Sequence, residues 1–327
     1  MLIKLINALL SVLYGVGGAL ILYFVLNKLA ELLPPKLEER LKPYFYILPA
    51  YAAITLYLLY PAIQTVINSF QDEVSENWVG FDNYVDLLTS SNFQDTLFNT
   101  LLWMAVVPAA TVVLGLAVAT LADRLGPGAE KLTKTIIFLP MAISLVGAAV
   151  IWDLMYAVRP EGQPQTGLQN AIVTALGFDP VNWLGTSTFQ LNDFLLMLVL
   201  LWAQVGFAMV LLSAAVKSVP VDTLEAARID GANERKIFFQ VVVPQIKGTI
   251  ITVFITVLIS VMKIFDIVFV MTRGRSGTNV LGHEFFVQLN TNFNNGAAAT
   301  VVVLLMVAVI PVMIYQVRHF KAEEANA

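Results

Sequence analysis

Two charged residues, Lys263 and Asp266, sit inside the apolar run from Thr249 to Met271, where a membrane-crossing helix is expected. A charge at the bilayer centre costs about 2.5–3.5 kcal/mol on insertion scales, so such residues face a cavity, a partner or each other. Three residues apart on one helix, they share a face and can pair. At ~1.5 Å per residue from Thr249 they stand ~21 and ~26 Å along it, somewhat outward of the middle. Either they form an internal ion pair holding two spans together, or they face a polar path through the membrane. Little other chemistry is on offer. With no Cys and 2 His, the chain has no material for a nucleophile–base–orienter set, a disulfide framework or a Cys/His metal site. A phosphate-cradling loop needs glycines followed by Lys and Ser or Thr. The nearest stretch, Gly277 to Glu284 (GTNVLGHE), puts His283 and Glu284 in those places. The chain is therefore expected to be non-catalytic, with no metal or cofactor of its own.

The elements that must position these residues are membrane helices. Apolar residues make up 58% of the 327 positions and charged ones 13%, against about 45–50% and about 25% in soluble domains. Runs of about 20 apolar residues suffice to cross the hydrocarbon core. Seven are read: Leu5 to Asn27, Tyr44 to Phe70, Leu97 to Ala122, Thr135 to Ala157, Phe194 to Val216, Thr249 to Met271 and Ala297 to Val317. The first is too long in its apolar part for a removable signal peptide and lacks a small-residue cleavage pattern; it is expected as a helix. The expected fold is an all-α polytopic membrane protein of about seven transmembrane helices. The loops after spans one, three and five, with the C-terminal tail, hold 14 of the 19 basic residues. Basic residues collect on the cytoplasmic side, so the N-terminus is expected outside and the C-terminus inside. These cations are dispersed and form no groove-sized patch, which speaks against nucleic acid. Of the three outer segments, 76–96 shows roughly helical apolar spacing, 159–193 reads as loop with a short helix near Leu168 to Leu176, and 272–296 is the third; all three are either ordinary solvated connections or a docking platform for something outside.

Between spans five and six lies a polar, helical stretch, LEAARIDGANERKIFFQVVVPQ, from Leu224 to Gln245. Asp222 and Glu225 have the spacing of a capping box, which predicts a helix start there. That helix should end at Gly231, which takes the left-handed conformation at low cost. Asn233 should cap a second helix, broken near Pro244. Leu224, Ala227, Ile229, Phe238 and Phe239 would form its apolar side. On pattern alone, this is either an amphipathic linker on lipid headgroups or a docking element.

At these residues the chain resembles a known family. Glu225-Ala226-Ala227, Asp230-Gly231-Ala232, Phe238 and Val243-Pro244 are similar to the EAA loop of permease subunits of binding-protein-dependent ABC importers, notably the maltose-type and α-glucoside-type carbohydrate permeases. "VGFDNYVDLL", "FLP" at Phe138 to Pro140 and "IFDIVFVMT" agree, and the similarity runs from about Tyr44 to Phe320. It implies the type I permease fold, with 1–43 as an extra helix and linker, 44–320 as the permease domain carrying the loop at 218–247, and 321–327 as a cytoplasmic tail. It implies that Glu225, Ala226, Ala227, Asp230, Gly231, Ala232, Phe238 and Pro244 dock the loop into a cytoplasmic ATPase. It implies as partners a second permease subunit, two ATPase subunits that bind ATP and magnesium, and an extracytoplasmic solute-binding protein in a bacterial plasma membrane. The implied cargo is a small polyhydroxylated solute: an α-glucoside, a disaccharide or a glucosyl-polyol osmolyte. The maltose-type permease's cargo positions fall on Gln204, Phe207, Ser260, Val261 and Ile264, the last three differing in type from that permease. Gly248 stands where the family often has proline, and Arg273 to Gly277 (RGRSG) replaces its usual Gly-Gly-Pro, so the outer gate does not carry over. The rival class is an ion-gradient-driven transporter or channel working through Lys263 and Asp266.

Overall fold

The computed structural model describes residues 2–326. The elements are α1 (Leu2–Glu31), α2 (Pro35–Ile54), α3 (Tyr60–Asn68), α4 (Asp82–Thr89), α5 (Ser91–Ala122), α6 (Pro127–Phe138), α7 (Leu145–Tyr156), α8 (Leu168–Ala175), α9 (Leu191–Lys217), α10 (Val221–Ile229), α11 (Glu234–Ile237), α12 (Val243–Gln245), α13 (Lys247–Met262), α14 (Asp266–Met271), α15 (Leu281–Asn290) and α16 (Asn295–Asn326). No strand forms among the described residues beyond one antiparallel bridge between Gln71 and Trp78. Five helices are long and apolar enough to cross a membrane, or up to 7 if each of two bent pairs counts as one span.

By its contacts the chain divides after Ile67, inside the stretch 44–320 that the sequence assigns to one domain. In the first unit α1 and α2 pack on each other. Tyr23 stacks on Tyr46 at 6.0 Å, and the Tyr46 hydroxyl donates to Asn27 Oδ1 at 2.9 Å. A π-helical turn over Thr55–Leu59 joins α2 to α3.

The second unit is built around α5 and α9, its most extensive helix pair. Trp103 and Val107 of α5, and Leu196, Leu200, Met209 and Leu212 of α9, are almost wholly buried there. Lipid tails are as apolar as leucine, so close backbone approach through small residues drives such pairing. Gly115 provides that approach: a Cβ placed on it would stand 2.6 Å from Ala208 Cβ. Around this pair, α13 packs on α5, α14 on α7, and α15 on α16.

Span four differs from expectation. Instead of one helix over 135–157, Pro127–Ala142 and Leu145–Tyr156 meet at 102°. Pro140 lacks an amide proton and lies in a 3₁₀ turn. Ile143 is extended, and Ser144 caps the new helix by accepting from Gly147 N at 3.1 Å. The proline, the 3₁₀ turn and the Ser144 cap together mark the break.

The loops are tied down by buried amides. Asn170 Nδ2 donates to the carbonyls of Ala157 and Val181, while its Oδ1 accepts from Val181 N and Trp183 Nε1, which knots the segment 157–185. The helix expected near Leu168 to Leu176 is α8. Within the 272–296 connection the structure adds α15.

Candidate functional site

The stretch 218–246 folds as two short helices with a sharp, fully bonded corner. α10 starts at Val221, after Pro220, so Asp222 lies inside the first turn and makes no cap hydrogen bond. The expected capping box does not form, because the fixed φ of Pro220 begins the helix earlier. At the other end Gly231 takes φ +80°. Its amide donates to Arg228 O at 3.0 Å and that of Ala232 donates to Ala227 O at 3.1 Å. These two bonds, with Ala232 and Ala227 meeting in one apolar cluster, make a Schellman corner. Asn233 caps α11 as expected, its Oδ1 accepting from Lys236 N at 2.9 Å. The chain does not break at Pro244. The missing amide proton of Pro244 is absorbed by a π-helical turn over Phe238–Val242, and the real bend, 70°, separates Glu234–Gln245 from α13.

The loop rests on apolar residues. Val219, Ile237, Val242 and Ile246 are buried against Leu224, Ala227, Phe238 and the end of α5 at Leu116. Ile229 and Phe239 do not join them, being 86% and 67% exposed. The corner turns Ile229 to the outer surface beside Glu225, Ala226, Asp230 and Gly231, which are also exposed. One ion pair crosses the corner, Arg228 Nε to Glu234 Oε1 at 3.0 Å, and this partner raises the pKa of Arg228. Both members are more than half exposed, so the apolar seat holds the loop far more than the ion pair does. Beside the loop, Lys134 lies 2.6 Å from Asp123 and 2.7 Å from Glu130. Lys217 also reaches Glu130, and Ser213 joins Lys134 and Asp123. This cluster ties the ends of α5, α6 and α9 together.

Span six is not one helix. α13 ends at Met262, Lys263 to Phe265 are unwound, and α14 restarts at Asp266. Lys263 and Asp266 therefore do not share a helix face, and they form no ion pair among the described residues. The cation stands at a helix C-terminus and the carboxylate at a helix N-terminus, each where the helix dipole favours its charge. The backbone of Gly282 on α15 presses on the Ile264 carbonyl so closely that any Cβ there would overlap it. Phe265, Phe269, Phe286 and His283 stack beside the break with ring centroids 4.9–6.1 Å apart.

The residues inferred for the cargo path divide by exposure. Ser260 and Lys263 are exposed, and Gln204, Phe207 and Asp266 are half-buried. Val261 and Ile264 lie in the packed core with Val257 and Ile267. Neither meets an open surface of this chain.

The sequence reading passed over the buried polar residues that fix the neighbouring loop. Asn99 Nδ2 donates to the carbonyls of Gly277 and, at 3.0 Å, Asn279. Thr100 Oγ1 accepts from Leu281 N at 3.0 Å, and Asn192 Nδ2 donates to Ser276 O at 2.8 Å. Arg273, Gly274, Ser276 and Gly277 all have positive φ, a strained run held by these tethers. Trp103 Nε1 donates to Asp193 Oδ1 at 3.3 Å just below. Next to the loop is a polar cavity of about 490 Å³ lined by residues including Asp95, Asn99, Asn279, Glu284 and Gln288. The signal available in sequence was polar side chains at the edges of apolar runs, in FNTLLW and QLNDF.

This architecture is the type I ABC importer permease fold. A solved bacterial ABC transporter involved in the import of the acidic polysaccharide alginate superposes with a TM-score of 0.75 at 21% identity, covering 88% of this chain and 99% of that one. Residues 111–321 match the family described as binding-protein-dependent transport system inner membrane component, and the chain belongs to that family. Among its relatives are the osmoprotective compounds uptake permease protein GgtC of Synechocystis sp., 46% identical over 85% of this chain and 99% of that protein. Another is the alpha-glucoside transport system permease protein AglF of Rhizobium meliloti, 44% identical over 89% of this chain and 86% of that protein.

Proposed function

We propose that the chain is one of two permease subunits of an ATP-driven importer in a bacterial plasma membrane. Its cargo is a small polyhydroxylated solute of the α-glucoside, disaccharide or glucosyl-polyol class. An extracytoplasmic binding protein delivers that cargo, and two cytoplasmic ATPase subunits bind ATP and magnesium and supply the energy. The permease itself catalyses nothing and binds no cofactor. The observation that carries this reading is the loop 218–246: a corner locked at Gly231, seated on a dry apolar cluster, presenting Glu225, Ala226, Ile229 and Asp230 outside the spans. Such a rigid projection transmits a push. Basic residues concentrate on the loop's side of the chain, which supports a cytoplasmic loop and C-terminus and an outer N-terminus.

Closure of the ATPase pair moves the loop, and the spans follow as rigid bodies. The break at Lys263 to Phe265 is the natural point at which span six yields, since only i→i−3 bonds from Lys263 N to Ser260 O at 3.3 Å and from Ile264 N to Val261 O at 3.0 Å close the end of α13 there. Gln204, Phe207, Ser260, Lys263 and Asp266 form the polar and aromatic wall that hydroxyl-rich cargo meets, and Val261 and Ile264 support it from behind. The glucoside and osmoprotectant assignments of the relatives support the cargo class.

The test is uptake by proteoliposomes holding the assembled complex. Withdrawing ATP while an ion gradient is held should abolish uptake, and Glu225→Lys should abolish cargo-stimulated ATP hydrolysis. Uptake that persists without ATP would refute the importer and favour the gradient-driven alternative.

A further inference from the structure

Past the last turn of α5 a cavity of about 370 Å³ opens toward the start of α11, walled by Thr120, Arg124, Glu234, Arg235, Phe238 and Phe239. Arg124 stands just beyond the apolar span Ser91–Ala122, at the boundary between hydrocarbon and headgroups. Neither guanidinium donates a hydrogen bond or joins an ion pair among the described residues. The one acid in the wall, Glu234, is already matched by Arg228 at 3.0 Å. The Thr120 hydroxyl proton is committed to its own helix, at Leu116 O or Ala117 O. The cavity thus offers two guanidiniums outside any ion pair against one carboxylate, Glu234, which Arg228 holds directly and Arg124 feels only at longer range.

Beside them Phe238 and Phe239 meet edge to face at 4.9 Å, and Phe239 is 67% exposed. Guanidiniums outside any ion pair suit phosphate oxygens, whereas exposed rings at a bilayer boundary suit glycerol and acyl chain. We infer that this cavity binds the headgroup phosphate of an anionic phospholipid. Free phosphate would satisfy the arginines but leave Phe239 in water, which favours the lipid as the source. Phe238 also belongs to the apolar cluster beneath the corner at Gly231, so an occupied cavity braces the seat of that loop.

The experiment uses the assembled complex in nanodiscs of phosphatidylcholine mixed with phosphatidylglycerol, with native mass spectrometry counting the lipid retained on release. Wild type should retain phosphatidylglycerol over phosphatidylcholine. Its retention should weaken about fivefold for each of Arg124→Gln and Arg235→Gln, and weaken again in Phe239→Ser. The lysine variants, which keep the charge, should hold most of it. Equal retention in wild type and the double glutamine variant overturns the inference. Displacement of the lipid by millimolar inorganic phosphate also overturns it, by making a free anion the ligand. Loss of the ATPase subunits from the double variant does so too, by making the cavity a protein contact. Cargo-stimulated ATP hydrolysis in the same samples separates this inference from the importer reading: a complex that hydrolyses ATP normally yet selects no anionic lipid sinks the lipid site alone.

Discussion

Replacing Gly231 tests the corner without disturbing any packing. No heavy atom lies within 4 Å of where its Cβ would stand, so alanine there meets no clash and its effect is purely conformational. Holding an L-residue at φ +80° costs about 1–2 kcal/mol. The alternative is to leave that region and lose the bonds from Gly231 N and Ala232 N, each worth about 0.5–1.5 kcal/mol net. The chain takes the cheaper route, so the bent loop loses up to about 2 kcal/mol, a fall of up to ~30-fold in its ratio to unbent forms. That lies well under the 5–15 kcal/mol that typically separates folded from unfolded states, so the protein should still insert and fold. In proteoliposomes containing the partner subunits, Gly231→Ala should lower cargo-stimulated ATP hydrolysis several-fold. Gly231→Val should lower it further, because a β-branched residue fits left-handed backbone worst. Gly231→Asn should stay near wild type, because asparagine enters that region readily. If valine couples as well as glycine, or if asparagine fails as badly as valine, the corner does not transmit force by its shape.

Gly115→Val should overpack the α5–α9 seam, where Ala208 leaves 2.6 Å for a Cβ; the cost is about 1–3 kcal/mol, read as a lower unfolding midpoint in detergent, whereas Gly15→Val, with nothing within 4 Å, should leave it unmoved. Asn192→Leu strips the Ser276 carbonyl of its buried donor, at about 1–3 kcal/mol; uptake should fall while membrane insertion persists, and unchanged uptake would show that the strained run 273–277 needs no tether. His283, on α15 outside the candidate spans, has its pKa lowered by burial below the ordinary 6.5. The unfolded chain therefore binds the proton more readily, so the stabilising contribution of His283 is present above about pH 6.5 and is lost as pH falls below it. A thermal-unfolding series in His283→Gln should be flatter than wild type across that window.

The fold class was legible in the sequence because the bilayer leaves few options: an apolar run of span length must satisfy its own backbone, and it does so as a helix. The corner was legible for a similar reason. Gly231 and Asn233 act through the backbone within three or four residues, and the Schellman and cap bonds formed where their types predicted. Asp222 failed as a cap because Pro220, two residues earlier, had already set the helix in motion. Local signals compete, and the earlier one won.

The charges in span six were misread for a physical reason. Spacing on a helix predicts pairing only if the helix continues, and nothing within Thr249 to Met271 announces the stop at Lys263. The unwound turn is allowed because Gly282, eighteen residues further on, brings the α15 backbone against the Ile264 carbonyl.

The sequence by itself determined that the chain forms apolar helices of membrane-spanning length and where the corner at Gly231 falls. Only the tertiary structure decided which polar residues matter inside. Asn99, Thr100 and Asn192 look like ordinary span edges until helices distant in sequence bring them under the strained loop at 273–277. It likewise decided that Ile229 and Phe239 face outward. Periodicity and local bonding act over a few residues and can be read along the chain, whereas burial depends on partners a hundred residues away and cannot.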